Sequence, residues 1–500
     1  MKKFLALALI ATMILTLFVG CNKGDKSAKD TLTVAIGSDP SSLDAQGKND
    51  SASTTVKHQI YDTLLKQGKD GPEAGLVESW EYKDDTTLLL KVRKNVKFHN
   101  GNPLKADDIL FSISRAFDSS FANWMVATVD IPSCKVVDEY TVEVKLSRPT
   151  GALLSQLCFL YVVDKETVEG GTNLEETPIG TGPFVFDKWY RSDRIELSTN
   201  ADYWGTVAPF KKLTMRVISE ASSRAMEIEA GGVDIATLIA NNDIEGLKSN
   251  KDVQVMSTAS YSNTFIGLNC LEGPFTSKEL RQAVNYALDR QAIVKAIYGN
   301  SATVANGPIA PTIWGYNPDV KGYTRDVAKA KELMAQAGYP NGLEITMTVS
   351  DSTERVDIAT MVQNQLKEIG ITVKVNTFEN ATYLDGIINA DYEMFVLGWV
   401  TNTGDADYGM YEPFYTGMPA WANTAQYSNP EVDALLDIGQ QSTDPSVRLD
   451  AYYKAQEMIV DDAPWVFLCN KQETAACRSN IKGFEVPPSG RYEFNTITFG

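Results

Sequence analysis

The chain has 500 residues, of which 43% are hydrophobic and 22% charged. That is the balance of a soluble globular protein too long for one core, so two or three domains are expected. With 46 basic against 64 acidic residues the net charge is −18, which argues against nucleic acid and anionic lipid as main partners. His58 and His99 are the only histidines, so a His-based triad or a multi-histidine metal centre has almost nothing to draw on.

Met1-Lys2-Lys3 is a basic start, and Phe4 to Val19 is an apolar run shorter than a usual membrane-spanning helix. Leu17-Phe18-Val19-Gly20-Cys21 resembles a bacterial lipobox, with Phe18 where Leu is more common. The expectation is a signal peptide over 1–20, a lipid on Cys21 and a flexible polar tether over 21–30. Loss of Lys2 and Lys3 leaves 44 basic against 64 acidic residues, or −20. Cys134, Cys158, Cys270, Cys469 and Cys477 then remain, an odd number without a CxxC pair. One or two bridges stay open, and small core residues are the simpler reading.

Thr31 to Ile36 reads as a strand that delivers the polar turn Gly37-Ser38-Asp39-Pro40. Ile60 to Leu65 reads as a short helix. Leu76 to Tyr82 and Thr86 to Val92 read as strands around a turn at 83–85, and Ile109, Ile113, Ala116 and Phe117 fall at helical spacing. Thr276 to Glu279 has capping-box spacing before a helix carrying Leu280, Val284, Ala287 and Leu288. A helix with Val327, Ala330, Met334 and Ala337 stops at Gly338. Leu343 to Val349, a helix through Ile358, Val362 and Leu366, and Ile371 to Phe378 form a βαβ pattern. Asn429-Pro430 and Asp444-Pro445 look like N-caps followed by Pro at the first helical position. Tyr392 to Leu397 reads as a buried strand opening into Gly398-Trp399-Val400-Thr401-Asn402-Thr403-Gly404-Asp405-Ala406-Asp407-Tyr408. Ligands of open α/β sheets bind beyond such strand ends.

Three segments in order carry a specific resemblance: Val96-Lys97-Phe98-His99-Asn100-Gly101-Asn102-Pro103-Leu104 and its helix, Pro178-Ile179-Gly180-Thr181-Gly182-Pro183-Phe184 with Asn200-Ala201-Asp202-Tyr203-Trp204, and Thr276 to Arg290. Together they resemble the extracytoplasmic solute-binding proteins of peptide/nickel ABC transporters, the oligopeptide- and dipeptide-binding family 5. The resemblance runs over essentially the whole chain from residue 31. It implies an α/β, two-lobed periplasmic-binding-protein-like fold of type II with an extra subdomain and a ligand cleft between lobes. Carried over, 31–45, 176–263 and 475–500 make the first lobe's core, 46–175 its extra subdomain, and 264–474 the second lobe.

The implied function is capture of a short peptide and delivery to an ABC permease, by a monomer tethered to the membrane through its lipid, without chemistry and without a cofactor. In peptide-binding relatives an Asp shortly after the Trp of this strand pairs with the ligand's ammonium. Here Trp399 is present, but Asn402 stands at the matching position, so Asp405 is the candidate to take over, with Asp407 expected to cap local backbone. The segment from Thr403 through Tyr408 to Gly409 resembles a branch that includes glutathione-binding members. Arg355 lies where some members hold the ligand carboxylate. Ser38, Tyr261, Asn263, Trp314 and Tyr316 flank strand ends and are candidates to line the cleft. Carriers of nickel chelate, haem or a glutathione-like ligand are alternatives. A secreted hydrolase is the alternative of another class, although no HExxH, Walker A or GxSxG lies in a usable context.

Overall fold

The fourteen-residue strand Trp465–Arg478 ties the molecule together. Its first half pairs antiparallel with Ser262–Leu268 and Ala302–Val304, up to Lys471 opposite Ala302. From Gln472 onward it pairs with Val253–Ala259 and, further along, with Ile235–Ala236. Apolar residues fill both halves, while Lys471, Gln472 and Glu473 in the middle are only partly buried. The polar triplet sits where the strand leaves one core and enters the next. A second crossing at Ser260 and Tyr261 links the strands 253–259 and 262–268, and the Ser260 amide donates to the Lys471 carbonyl at 3.0 Å.

The computed structural model describes residues 29–48, 50–68 and 71–500; the expected signal peptide, Cys21 and most of the expected tether lie outside them. The fold is mixed α/β and two-lobed. On one side of the long strand Thr31–Ile36 pairs parallel with Lys212–Val217, followed by Arg194–Thr199 and Phe184–Tyr190. On the other, Ser262–Leu268 pairs with Met394–Val400, and Leu343–Ser350 and Ile371–Phe378 run parallel beyond it. A separate four-stranded sheet, 77–84, 87–92, 141–145 and 135–138, packs with the helix Ala106–Asp118 over a core of its own. Among the described residues no helix is long and apolar enough to cross a membrane.

Local signals act as expected at several ends. Asn429 and Asp444 both cap their helices, each accepting from the amide two residues on, with Pro at the first helical position. The βαβ unit forms with 343–350 and 371–378 in parallel register. Three readings are corrected. The helix near residue 60 is Ser51–Ile60, capped by Asp50, and the chain is extended from Tyr61. Its buried side includes Ser53, Thr55, Lys57 and Gln59, so no apolar stripe announced it. The cap of helix 278–287 is Ser277, one residue later than expected, accepting from the Leu280 amide at 3.2 Å. The strand before the candidate loop continues to Val400, because Trp399 and Gly398 stay in register with Asn263 and Thr264. All five described cysteines are free thiols, with Cys158, Cys469 and Cys477 buried.

Candidate ligand cleft

Around the strand crossing lies a cavity of about 450 Å³, within the usual size range of small-ligand sites. Ser38 and Leu238 approach it from the side of the long strand that holds Thr31–Ile36, and Ser262, Val400 and Asn402 from the side that holds Met394–Val400. Trp124, Phe159 and Tyr161 wall it from the part of the chain that carries the four-stranded sheet, and the Lys471-Gln472-Glu473 triplet forms another side. A larger cavity of about 1000 Å³ adjoins it, and Tyr261, Pro488, Ser489 and Arg491 border both. Aromatic rings continue outward from this wall. Phe159 lies 5.9 Å from Trp124, Trp124 lies 6.0 Å from Tyr408, and Tyr408 stacks on Trp399 at 5.6 Å. Gly404 is held at φ +65, and a Cβ there would meet the Tyr261 hydroxyl at 2.9 Å, so only glycine lets this loop lie on that ring.

The charges around the smaller cavity are unevenly matched. Lys471 pairs with Glu354 at 2.8 Å. Lys57 is 1% exposed, donates to the Lys48 carbonyl at 2.8 Å, and is pushed down to about 8 by burial. Glu473 accepts from the Tyr492 hydroxyl at 3.0 Å, and burial raises its pKa. Arg491 donates to the Cys158 carbonyl at 3.0 Å and lies 3.6 Å from the Phe159 ring centre.

Away from the crossing, the lobes meet again. Gly151 donates its amide to the Gln440 carbonyl at 2.7 Å, and Arg148 donates to the Gln440 side chain at 2.6 Å. Ser155 donates to Asp405 at 2.8 Å. These contacts join the element carrying the four-stranded sheet to the helix Pro430–Gln441 and to Asp405, the cap of the helix Ala406–Phe414.

The model of the family described as bacterial extracellular solute-binding proteins, family 5 (middle), matches residues 71–419. The chain belongs to that family. A glutathione-binding protein of Pectobacterium atrosepticum is 30% identical over 484 residues, covering 94% of each chain. Heme-binding protein A of Haemophilus influenzae is 28% identical, covering 88% of this chain and 87% of that one. Among solved structures, HbpA2 from Haemophilus parasuis superposes with a TM-score of 0.87 at 27% identity, covering 94% of this chain and all of that one. The periplasmic binding protein DppA of Helicobacter pylori, solved with the peptide STSA, gives 0.76 at 30% identity, covering 94% and 98%. The fold is thus that of the two-lobed periplasmic binding proteins, and the chain is a solute-binding protein of the ABC-importer class.

Within this family 5 protein, Ser38, Tyr261 and Asn402 border the smaller cavity. Trp399 and Tyr408 border neither cavity; they stack on each other, Tyr408 lies against Trp124 of the wall, and the Trp399 indole donates to the Tyr408 carbonyl at 3.3 Å. Trp314 borders the larger cavity and lies 4.6 Å over the Arg448 guanidinium. Tyr316 packs at the margin of the second lobe's core.

Other expected residues are placed elsewhere. Asp405 is 2% exposed and touches neither cavity. Its carboxylate is fully engaged: Arg448 reaches both oxygens at 2.7 and 3.1 Å, Ser155 donates to one, and the Asp407 amide donates to the other at 2.9 Å. It caps the helix Ala406–Phe414, the role expected of Asp407. Asp407 instead is buried and accepts from Tyr452 at 3.2 Å. Burial first, then Asp405 beside it, pushes its carboxyl up to about 6. Arg355 opens the helix Thr353–Leu366 but borders neither cavity; it donates to Ser350 at 3.1 Å and lies over Tyr383. Asn263 is 2% exposed and turns inward, donating to the carbonyls of Gly307 and Pro308.

His58 borders the larger cavity with its Nδ1 buried and unpartnered, and burial pushes its pKa down to about 3. His99 holds a turn, its Nε2 3.0 Å from the Gly182 carbonyl. Trp124, Lys57 and Arg491 were not expected at the site. Arg491 follows Pro487-Pro488-Ser489-Gly490, and an arginine in such a turn reads as solvated. Nothing local to it gave a signal.

Proposed function

We propose that this chain is a lipid-anchored substrate-binding protein that captures short peptides between its lobes and delivers them to a membrane permease. The observation that carries the reading is the cavity at the strand crossing, walled by both lobes and by the aromatic side chains of a third element. A ligand there contacts every part that a hinge motion would separate, so binding favours the closed state through its differential affinity for it. The proposed division is 31–45, 176–263 and 475–500 for the first lobe, 46–175 for its extra subdomain and 264–474 for the second lobe. The change of strand partners at Lys471 and Gln472 lies three residues before the second lobe's proposed end at 474. Relatives named for glutathione and haem, and a neighbour solved with a four-residue peptide, frame the ligand class. A glutathione-like peptide is the form the Thr403 to Gly409 segment favours.

Native mass spectrometry of the purified protein tests the ligand. A peptide of a few residues released on denaturation is the expected result, and a haem or metal chelate in its place overturns the peptide reading. Incubated peptides should be recovered intact; fragments would identify a hydrolase. For the anchor, Cys21→Ser should abolish labelling with radioactive palmitate, and labelling that persists removes Cys21 as the site.

A further inference from the structure

Arg491 is a partly buried guanidinium that the protein's own acids leave unpaired. Of its five N–H donors, one meets the Cys158 carbonyl. One face of the group is covered by Phe159 at 3.6 Å, and Tyr161 lies 5.9 Å away. No carboxylate among the described residues pairs with it, although burial lowers its pKa and so marks the cost of holding that charge alone. The Tyr161 hydroxyl, on a residue 4% exposed, is likewise buried without a partner. Both residues border the smaller cavity, where Lys57, Lys471 and Arg491 face a single acid, Glu473. The adjoining cavity holds Asp62, Glu73, Glu485 and Glu493. Asp62 is taken by Thr181, Tyr203 and Trp204, and Glu493 lies 3.9 Å from Lys66.

We propose that Arg491, with Tyr161 on the same cavity wall, receives the carboxylate of the cleft's ligand, so that this protein selects ligands with a free terminal carboxylate. The proposal rests on the peptide-capture reading above. A guanidinium offers a carboxylate two parallel hydrogen bonds, and stacking on Phe159 fixes the plane in which they are offered. The same stack keeps the free edge of the fork oriented before a ligand arrives, which reduces the ordering cost of binding.

The test is calorimetric titration of trialanine and trialanine amide into wild type, Arg491→Gln and Arg491→Lys, with thermal unfolding confirming that each variant is folded. A hydrogen bond to a charged group contributes about 1.5–3 kcal/mol, so the amide should bind wild type roughly 10- to 100-fold more weakly than the free acid. Arg491→Gln should weaken the free acid by a similar factor and abolish the preference for acid over amide. Arg491→Lys should keep part of that preference. A merely structural role for Arg491 lowers both affinities equally and leaves the preference intact, and that result overturns the proposal, as does unchanged binding. If wild type binds neither probe but carries another carboxylate ligand that Arg491→Gln loses, the peptide reading fails and the anchor stands. If it binds neither and carries no carboxylate ligand, both fall.

Discussion

Arg448 and Arg491 are both withdrawn from water, and they differ in what meets them. Arg448 has a two-pronged ion pair with Asp405, donates to the Gly439 carbonyl at 2.8 Å, and lies beneath Trp314. Burial opposes its charge, but the Asp405 carboxylate outweighs that and holds its pKa above the usual value. Arg491 has an aromatic face and one carbonyl, and burial carries its pKa the other way. Arg448, buried, and Arg491, partly buried, thus take opposite roles. One charge is satisfied within the fold and fixes how two elements join. The other is left for something the fold does not contain. An unpaired guanidinium bordering a cavity is therefore a better pointer to a ligand than a conspicuous acid in a loop.

The sharpest way to break this contrast is to remove the satisfied pair. Asp405→Asn leaves Arg448 buried beside an amide, and breaking a buried ion pair from one side costs about 3–5 kcal/mol. Denaturant unfolding should show a loss of that order, while the protein that remains folded binds its ligand within a few-fold of wild type. An Asp405→Asn protein of normal stability that no longer binds would restore Asp405 as a ligand residue and reverse the two arginines' roles.

A smaller effect is expected where Gly151 meets the second lobe. A Cβ on Gly151 would lie 1.8 Å from the Ser442 carbonyl oxygen, and backbone at that distance cannot yield without separating the elements. Gly151→Ala should therefore hold the lobes apart without disturbing either core. Affinity should fall roughly 10- to 100-fold, as expected when a variant destabilises the binding-competent state by about 1.4–2.7 kcal/mol. Small-angle scattering of the ligand-loaded variant should keep the larger radius of the open form. A ligand-loaded variant as compact as wild type would show that this contact does not govern closure.

What was legible in the chain was local. Asn429 and Asp444 announce their helices because cap and helix are adjacent, and Thr31–Ile36 and the βαβ unit declare themselves by composition and period. The helix Ser51–Ile60 stayed hidden because it buries polar side chains, which the neighbouring chain satisfies: Lys57 reaches the Lys48 carbonyl and Gln59 the Tyr492 carbonyl. The loop at 401–408 brings Asn402 to the smaller cavity, whereas Asp405 is engaged inside the fold. Asp405 finds Arg448 43 positions away and Ser155 250 positions away, and no spacing rule reveals such partners. Arg491 failed to stand out for the converse reason, since its significance is the partner it lacks.

The smallest expected effect concerns Asp407, which sits beside the Arg448 pair without sharing fully in it. Burial and the neighbouring Asp405 push its carboxyl up to about 6, against 3.8 ordinarily, while Arg448, Tyr452 and Gln440 pull the other way. Glu412 nearby is pushed up to about 7 by burial and then by Asp407. For an acid whose folded pKa is raised, the folded state holds its proton over a range where the unfolded state has lost it. Stability then falls as pH rises from about 4 to about 6 for Asp407, and on to about 7 for Glu412. His58 acts in the opposite sense, because its folded pKa is about 3 and unfolding takes up a proton below the usual 6.5. The pH profile of wild type therefore mixes both signs, but the difference between wild type and Asp407→Asn isolates one group. The difference between about 6 and 3.8 corresponds to roughly 3 kcal/mol, part of which the buried amide gives back, so Asp407→Asn should be about 1–2 kcal/mol more stable at pH 7. Below pH 4 both proteins carry a neutral side chain there and the gain should vanish. Urea unfolding at the two pH values decides it. A variant less stable than wild type at pH 7, or one shifted equally at both, would mean that Asp407 is paid for by Arg448 as Asp405 is, and the contrast would then lie between the two arginines alone.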